Sequence, residues 1–159
     1  MKVLLVCMGN ICRSPSAEGV LRHYLELGGL AKRVTVDSAG TYGYHEGAPP
    51  DPRAQKAAIR RGIDIGRLRA RAVEPEDFER FDMILAMDRD NLEDLHRACP
   101  PHRQDRLGLF MRYSGRHAGA DVPDPYYGGP DGFERVLDLL EDAARGLTEE
   151  LRRRLQDER

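Results

Sequence analysis

The chain has 159 residues, 40% hydrophobic and 33% charged, with 16 Gly and 10 Pro, the composition of a globular protein rather than a disordered or fibrous one. With 25 Lys and Arg against 27 Asp and Glu the formal charge is −2, so no global field draws it to nucleic acid or an anionic membrane, and any phosphate recognition must be local. The longest apolar run, Val3 to Met8, is too short for a bilayer and lacks a signal cleavage site, and three cysteines (Cys7, Cys12, Cys99) make no disulfide scaffold, so the expectation is one domain over residues 1–159 in a reducing cytoplasm.

Four apolar runs read as strands: Lys2–Val6, Arg33–Asp37, Asp82–Met87 and Arg106–Phe110. After the first, Ala17, Val20, Leu21, Tyr24 and Leu25 share one helical face, with Ser14 as N-cap, Pro15 as first helical residue and Gly28-Gly29 as the stop. Pro52–Arg61 reads as a helix capped by Asp51 and ended by Gly62, Glu76–Arg80 as a short helical turn, and Asp88–Ala98 as a helix facing inward through Leu92, Leu95 and Cys99. Phe133, Val136, Leu137, Leu140, Leu147, Leu151 and Leu155 mark a long C-terminal helix with Arg152 to Arg154 at its negative end. Strands alternating with helices imply an α/β fold, a four-stranded parallel sheet flanked by helices on both faces. Gly40–Pro50 and Tyr113–Pro130 remain as long irregular stretches, a length that in a small domain points to function. Ligands of such sheets bind beyond the carboxyl ends of the strands.

The loop after the first strand, Cys7-Met8-Gly9-Asn10-Ile11-Cys12-Arg13-Ser14-Pro15, runs straight into the first helix. Gly9 and Asn10 are the residues that most easily take positive φ, and a loop wound this way turns its N–H groups inward as an anion nest at a helix N-terminus. Arg13 adds a planar fork suited to two phosphate oxygens. Cys7 opens the ring, facing a helix N-terminus and an arginine, the setting in which a thiol ionises at neutral pH, and Ser14 Oγ is placed to steady the thiolate. A nucleophile in a phosphate cradle suits covalent phosphoryl transfer to sulfur; the bland alternative for Cys7 is a small buried residue ending a strand.

This stretch, from Val6 to Pro15 with Ala17-Glu18 following, resembles the phosphate-binding signature of the low-molecular-weight protein tyrosine phosphatases. The resemblance continues through Val36–Thr41, Pro50–Arg53, Phe81–Asp88 and Asp121–Tyr126. It implies hydrolysis of phosphotyrosine in proteins, and of small aryl phosphates, through a cysteinyl-phosphate. Cys7 is then the nucleophile, Arg13 and the loop from Met8 to Cys12 with Ser14 the phosphate seat, and Asp124 the general acid and base. Taken alone, Asp124 also reads as an ordinary Asp-Pro turn; the resemblance places it in the family's Asp-Pro-Tyr motif and leaves Asp121 a supporting carboxylate. It also makes Tyr126 and Tyr127 one wall of a deep slot, with Tyr44 on the other loop at a variable specificity position. Asn10 holds the loop through side-chain bonds with Ser38 nearby, although Ser38 equally reads as a hydroxyl capping its own turn. Cys12 faces the same cavity, where it either traps an oxidised Cys7 as a disulfide or fills the back of the loop.

Relatives often carry a histidine ahead of Arg-Ala-Arg; here Leu68 or Arg67 stands there, and Arg67-Leu68-Arg69-Ala70-Arg71 is either a solvated surface or a greeting for acidic residues beside a phosphotyrosine. No histidine shows metal-ligand spacing, so no metal or other cofactor is expected. The expected partners are phosphotyrosine proteins and a cognate tyrosine kinase, with the chain a monomer. A thioredoxin-coupled arsenate reductase needs two further cysteines around the third strand, and none precedes Cys99 there. Arginine-directed relatives carry threonine where Ile11 stands, and a nucleotide-binding phosphate loop needs a Gly-Lys-Ser/Thr that is missing.

Overall fold

The computed structural model describes residues 1–126 and 129–157, so Tyr127 lies outside the described residues. Its centre is β1 (Lys2–Cys7), whose residues from Val3 onward are all buried because the sheet is covered on both faces. Val3, Leu5 and Cys7 point to one apolar layer, formed with α1 (Arg13–Leu27), α2 (Pro52–Ile59) and α5 (Pro130–Asp157). Leu4 and Val6 point to the other, formed with α3 (Asp77–Arg80) and α4 (Arg89–Ala98) through Phe78, Phe81, Leu95 and Cys99. β2 (Thr35–Gly40), β3 (Met83–Ala86) and β4 (Leu107–Leu109) complete a parallel sheet of order β2-β1-β3-β4. This is the α/β sheet expected from the sequence.

The differences are local and have causes. β2 is shifted toward the C-terminus of its expected span, because its register with β1 pairs Cys7 with Gly40 and so carries Ser38 up to the loop. β4 stops at Leu109, and Phe110–Tyr113 turns into a 3-10 helix. α1 begins at Arg13, with Cys12 in the cap position and no side-chain cap bond. Ser14 is therefore not the N-cap; its hydroxyl is taken by the loop, and the first N–H groups of α1 are left for another acceptor. Asp51 does cap α2, accepting from the Arg53 N–H at 2.8 Å. Among the described residues no helix is long and apolar enough to cross a membrane.

Candidate active site

Cys7 ends β1 at the carboxyl edge of the sheet, 3% exposed. The loop beyond it winds tightly: Asn10 takes φ 56°, and its N–H donates to Cys7 Sγ at 3.2 Å. Gly9 does not adopt positive φ; its missing side chain instead makes room for His45, whose Cδ2 would lie 3.1 Å from a Cβ built there. Gly40 is needed for a similar reason, since a Cβ there would meet the Met8 carbonyl at 2.7 Å. The loop is also tied down from outside, by Thr41 N–H on Cys7 O at 2.9 Å, Tyr42 N–H on Met8 O at 3.0 Å and Asp51 N–H on Ile11 O at 2.8 Å.

The Asn10 side chain is the hub behind the loop. Its Oδ1 accepts the Arg71 N–H at 3.0 Å, which orients the amide, and its Nδ2 donates to Ser14 Oγ at 2.7 Å and Ser38 Oγ at 3.1 Å. Ser14 Oγ lies 3.0 Å from Cys7 Sγ, and Ser38 Oγ lies 2.8 Å from Glu18. Asn10, Ser14 and Ser38 are thus buried supports beneath the cavity rather than part of its lining. No histidine takes part: Leu68 packs against the apolar layer, and the Arg71 backbone braces the asparagine.

Arg13, 3% exposed, donates to the Asp88 carboxylate at 2.5 Å and to the Val122 carbonyl at 3.0 Å, and its second nitrogen is 3.7 Å from Asp124. Burial opposes its charge, but Cys7, Asp88 and Asp124 together raise the guanidinium above its ordinary range. Asp88 in turn caps α4 through the Asn91 N–H. Burial, with Asp51 and Cys7 adding to it, pushes the Cys12 thiol up to about 12, so it stays protonated at neutral pH.

Asp124 comes in on the loop after Tyr113, its side chain 34% exposed and its Oδ1 accepting the Tyr126 N–H at 3.0 Å. Besides the Arg13 bond to Val122 O, that loop is anchored by Ser114 bonded to Asp142 on α5, Asp121 accepting the Arg89 N–H at 3.1 Å, and Val122 N–H on Met87 O at 2.9 Å. Asp121 is the supporting carboxylate expected.

Cys7, Ile11, Cys12, Arg13 and Asp124 share one open cavity of about 240 Å³, walled by Met8, Tyr44, His45 and Tyr126. Tyr44 is 91% exposed, and Arg53 stacks over Tyr126 with 5.5 Å to the ring centroid. A residue-by-residue reading of the sequence had missed His45, Arg53 and Asp88.

A family model described as "Low molecular weight phosphotyrosine protein phosphatase" matches residues 2–157. The chain belongs to the low molecular weight phosphotyrosine protein phosphatase family. It is a hydrolase of the protein-tyrosine-phosphatase class. The chain is 42% identical to a Streptomyces coelicolor low molecular weight protein-tyrosine-phosphatase, over 98% of this chain and 96% of that protein. It is 40% identical to the human low molecular weight phosphotyrosine protein phosphatase, over 92% and 93%. A crystal structure of an Entamoeba histolytica protein tyrosine phosphatase with Hepes in its active site superposes with a TM-score of 0.93 at 42% identity, covering 96% of this chain and 97% of that one. Within the basic stretch of this phosphatase, Arg71 pairs with Asp37 and Asp77, and Arg69 folds back on the Gly66 and Leu68 carbonyls.

Proposed function

We propose that this chain hydrolyses phosphotyrosine in proteins, and small aryl phosphates, in two in-line steps. In the first, the Cys7 thiolate attacks phosphorus while Arg13 and the loop N–H groups hold the equatorial oxygens. The S–P bond forms as the P–O bond to the tyrosyl ring breaks, and Asp124 protonates the departing oxygen. In the second, Asp124 takes a proton from a water that attacks phosphorus; the S–P bond breaks, phosphate leaves, and the thiolate is restored. Asp88 holds Arg13 in plane, and the uncapped start of α1 supplies positive potential.

The observation that carries this reading is the meeting of Cys7, Arg13 and Asp124 at one cavity floor, at a helix N-terminus whose donors no side chain fills. Cys7, 3% exposed, shares its cavity with Tyr44 and Tyr126, and these aromatic walls favour an aryl phosphate over a phosphoserine. The setting is a reducing cytoplasm, where the three cysteines stay free of disulfides, and the chain acts as a monomer opposite a tyrosine kinase.

The test is phosphate release from a phosphotyrosine peptide in reductant, with phosphoserine and phosphoarginine peptides alongside. Turnover on phosphotyrosine alone, abolished in Cys7→Ser with phosphate binding retained, is the expected outcome. Release from phosphoarginine at a comparable rate, or turnover surviving Cys7→Ser, overturns it.

A further inference from the structure

Glu18 is a carboxylate buried behind the catalytic loop. Its side chain is 2% exposed, it lies on α1 facing the back of the catalytic loop, and no step of the proposed reaction uses it. Its partners are the Ser38 hydroxyl at 2.8 Å and, one helical turn along, the Arg22 guanidinium at 2.6 Å. Arg22 is 58% exposed, lies outside the catalytic cavity, and also donates to the Val36 carbonyl of the edge strand β2 at 2.6 Å.

The hydrogens between Glu18 and Cys7 can be assigned one by one. Because Asn10 Oδ1 accepts from Arg71, both Asn10 amide hydrogens go to serine oxygens, those of Ser14 and Ser38. Each serine oxygen has then accepted, so each hydroxyl hydrogen points onward: Ser38 to Glu18, and Ser14 to Cys7 Sγ. Cys7 Sγ collects two donors, the Ser14 hydroxyl and the Asn10 N–H, a pattern suited to a thiolate. The arrangement needs an acceptor at its far end. A protonated Glu18 offers Ser38 a competing donor, and the ordering toward Cys7 slackens.

We propose that Arg22 is a positioning residue for the phosphatase reaction: by holding Glu18 as a carboxylate, it keeps this hydrogen-bond chain polarised toward Cys7. The proposal rests on the reading of Cys7 as nucleophile. Among the described residues, Arg22 is the cation paired with Glu18. Burial favours the protonated acid, Asp37 from β2 adds to that, and the Ser38 bond and Arg22 oppose it. Arg71 is committed to Asp37 and Asp77. The charged and titratable groups nearest Cys7 are Arg13, Cys12 and Asp124, and none of them touches Glu18.

The test compares wild type, Arg22→Met, Arg22→Lys, Glu18→Gln and the Arg22→Met/Glu18→Gln double variant between pH 5 and 8.5. Two readouts are taken: kcat/KM on p-nitrophenyl phosphate, and the rate of Cys7 alkylation by iodoacetamide, localised by fragmentation mass spectrometry. Arg22→Met should match wild type at pH 8 and fall roughly 3- to 10-fold below it at pH 5.5 in both readouts, the scale of a pKa moved by one unit or less. Arg22→Lys should keep the wild-type acid limb. Glutamine accepts from Ser38 and cannot be protonated, so the acid deficit of Arg22→Met should vanish in the Glu18→Gln background. An Arg22→Met profile parallel to wild type at every pH, with only a lower Tm, makes Arg22 a cap on the sheet edge and overturns the proposal. So does a deficit that persists beside Glu18→Gln, or faster alkylation at acid pH, which would mean that losing the Glu18 charge outweighs the ordering. Alkylation reports on Cys7 whether or not the chain turns over phosphotyrosine, so failure of the proposed function is read separately.

Discussion

The nucleophile side and the acid side of the cavity are built on opposite plans. Cys7, Asn10, Arg13 and Ser14 are each at most 3% exposed; the polar atoms of Cys7, Asn10 and Ser14 bond to one another, to β2 and to the segment at Arg71, and Arg13 bonds to Asp88 and the Val122 carbonyl. Asp124 is 34% exposed, Tyr126 39% and Tyr44 91%, and their loops touch the body at a few anchors. The difference follows from the chemistry each side does. A thiolate and an anion nest act by being already in place when charge develops, so loosening them costs rate directly. An acid that meets bulky protein substrates and exchanges protons with water has to stand near solvent. Damage should therefore be global on the first side and substrate-dependent on the second.

The largest expected effect breaks the acid side. Asp124→Ala should lower kcat on a phosphotyrosine peptide by about 10²–10⁴, the usual worth of a general acid. The loss should be smaller on p-nitrophenyl phosphate, whose leaving oxygen needs little protonation. Equal losses on both substrates would show that Asp124 serves the chain as a partner of Arg13 rather than as the acid.

Asn10→Ala attacks the other side. It deletes three side-chain hydrogen bonds and leaves a Cβ residue at φ 56°. Stability should fall by about 2–4 kcal/mol and kcat by at least about tenfold on every substrate, because buried partners are left unpaired. Asn10→Gly relieves the φ strain alone and should recover part of the stability and little of the rate. Chemical denaturation and kinetics on two leaving groups separate the two contributions.

How far these sides were legible in the sequence tracks their locality. Cys7, Arg13 and the loop between them are seven consecutive residues, and the Asp51 cap is two residues from its donor. Asp88 bonds to Arg13 across 75 positions, and as the aspartate ahead of a helix it already had an ordinary explanation. His45 reaches the cavity only because its loop folds over it, and Arg53, on α2, meets the wall residue Tyr126 across 73 positions. Ser14 shows a local rule overridden: a good N-cap residue gave up capping because Cys7 and Asn10 compete for its hydroxyl. β2 was displaced for a related reason, since its end is set by pairing with β1 rather than by its own apolar residues.

The anchor at Ser114 tests whether the acid loop is held or merely rests. The Asp142 carboxyl is kept below its ordinary range chiefly by the Ser114 hydroxyl. A depressed folded-state value means the bond stabilises the fold above the ordinary carboxylate range, and that this is lost as pH falls through the depressed value. Ser114→Ala should thus cost about 1 kcal/mol near neutral pH, with the gap to wild type closing at acid pH, once the medium falls below the depressed carboxyl value. Thermal melts at the two pH values check it, and kcat should drop only about twofold or less if Arg89 and Met87 still hold Asp121 and Val122.

The mildest change belongs to Tyr44, the most exposed aromatic in the structure. Its ring lines the cavity mouth without a core contact, so Tyr44→Ala should change the unfolding free energy by no more than about 0.5 kcal/mol, as a surface substitution does. If the side chain walls the slot, KM for phosphotyrosine peptides should rise several-fold while kcat stays level, since a wall binds ground and transition states alike. The effect should shrink for p-nitrophenyl phosphate, which projects less from the slot. A fall in kcat with KM unchanged would mean that Tyr44 aligns the aryl group for proton transfer, and the exposed side would then share in the chemistry that the contrast assigns to the buried one.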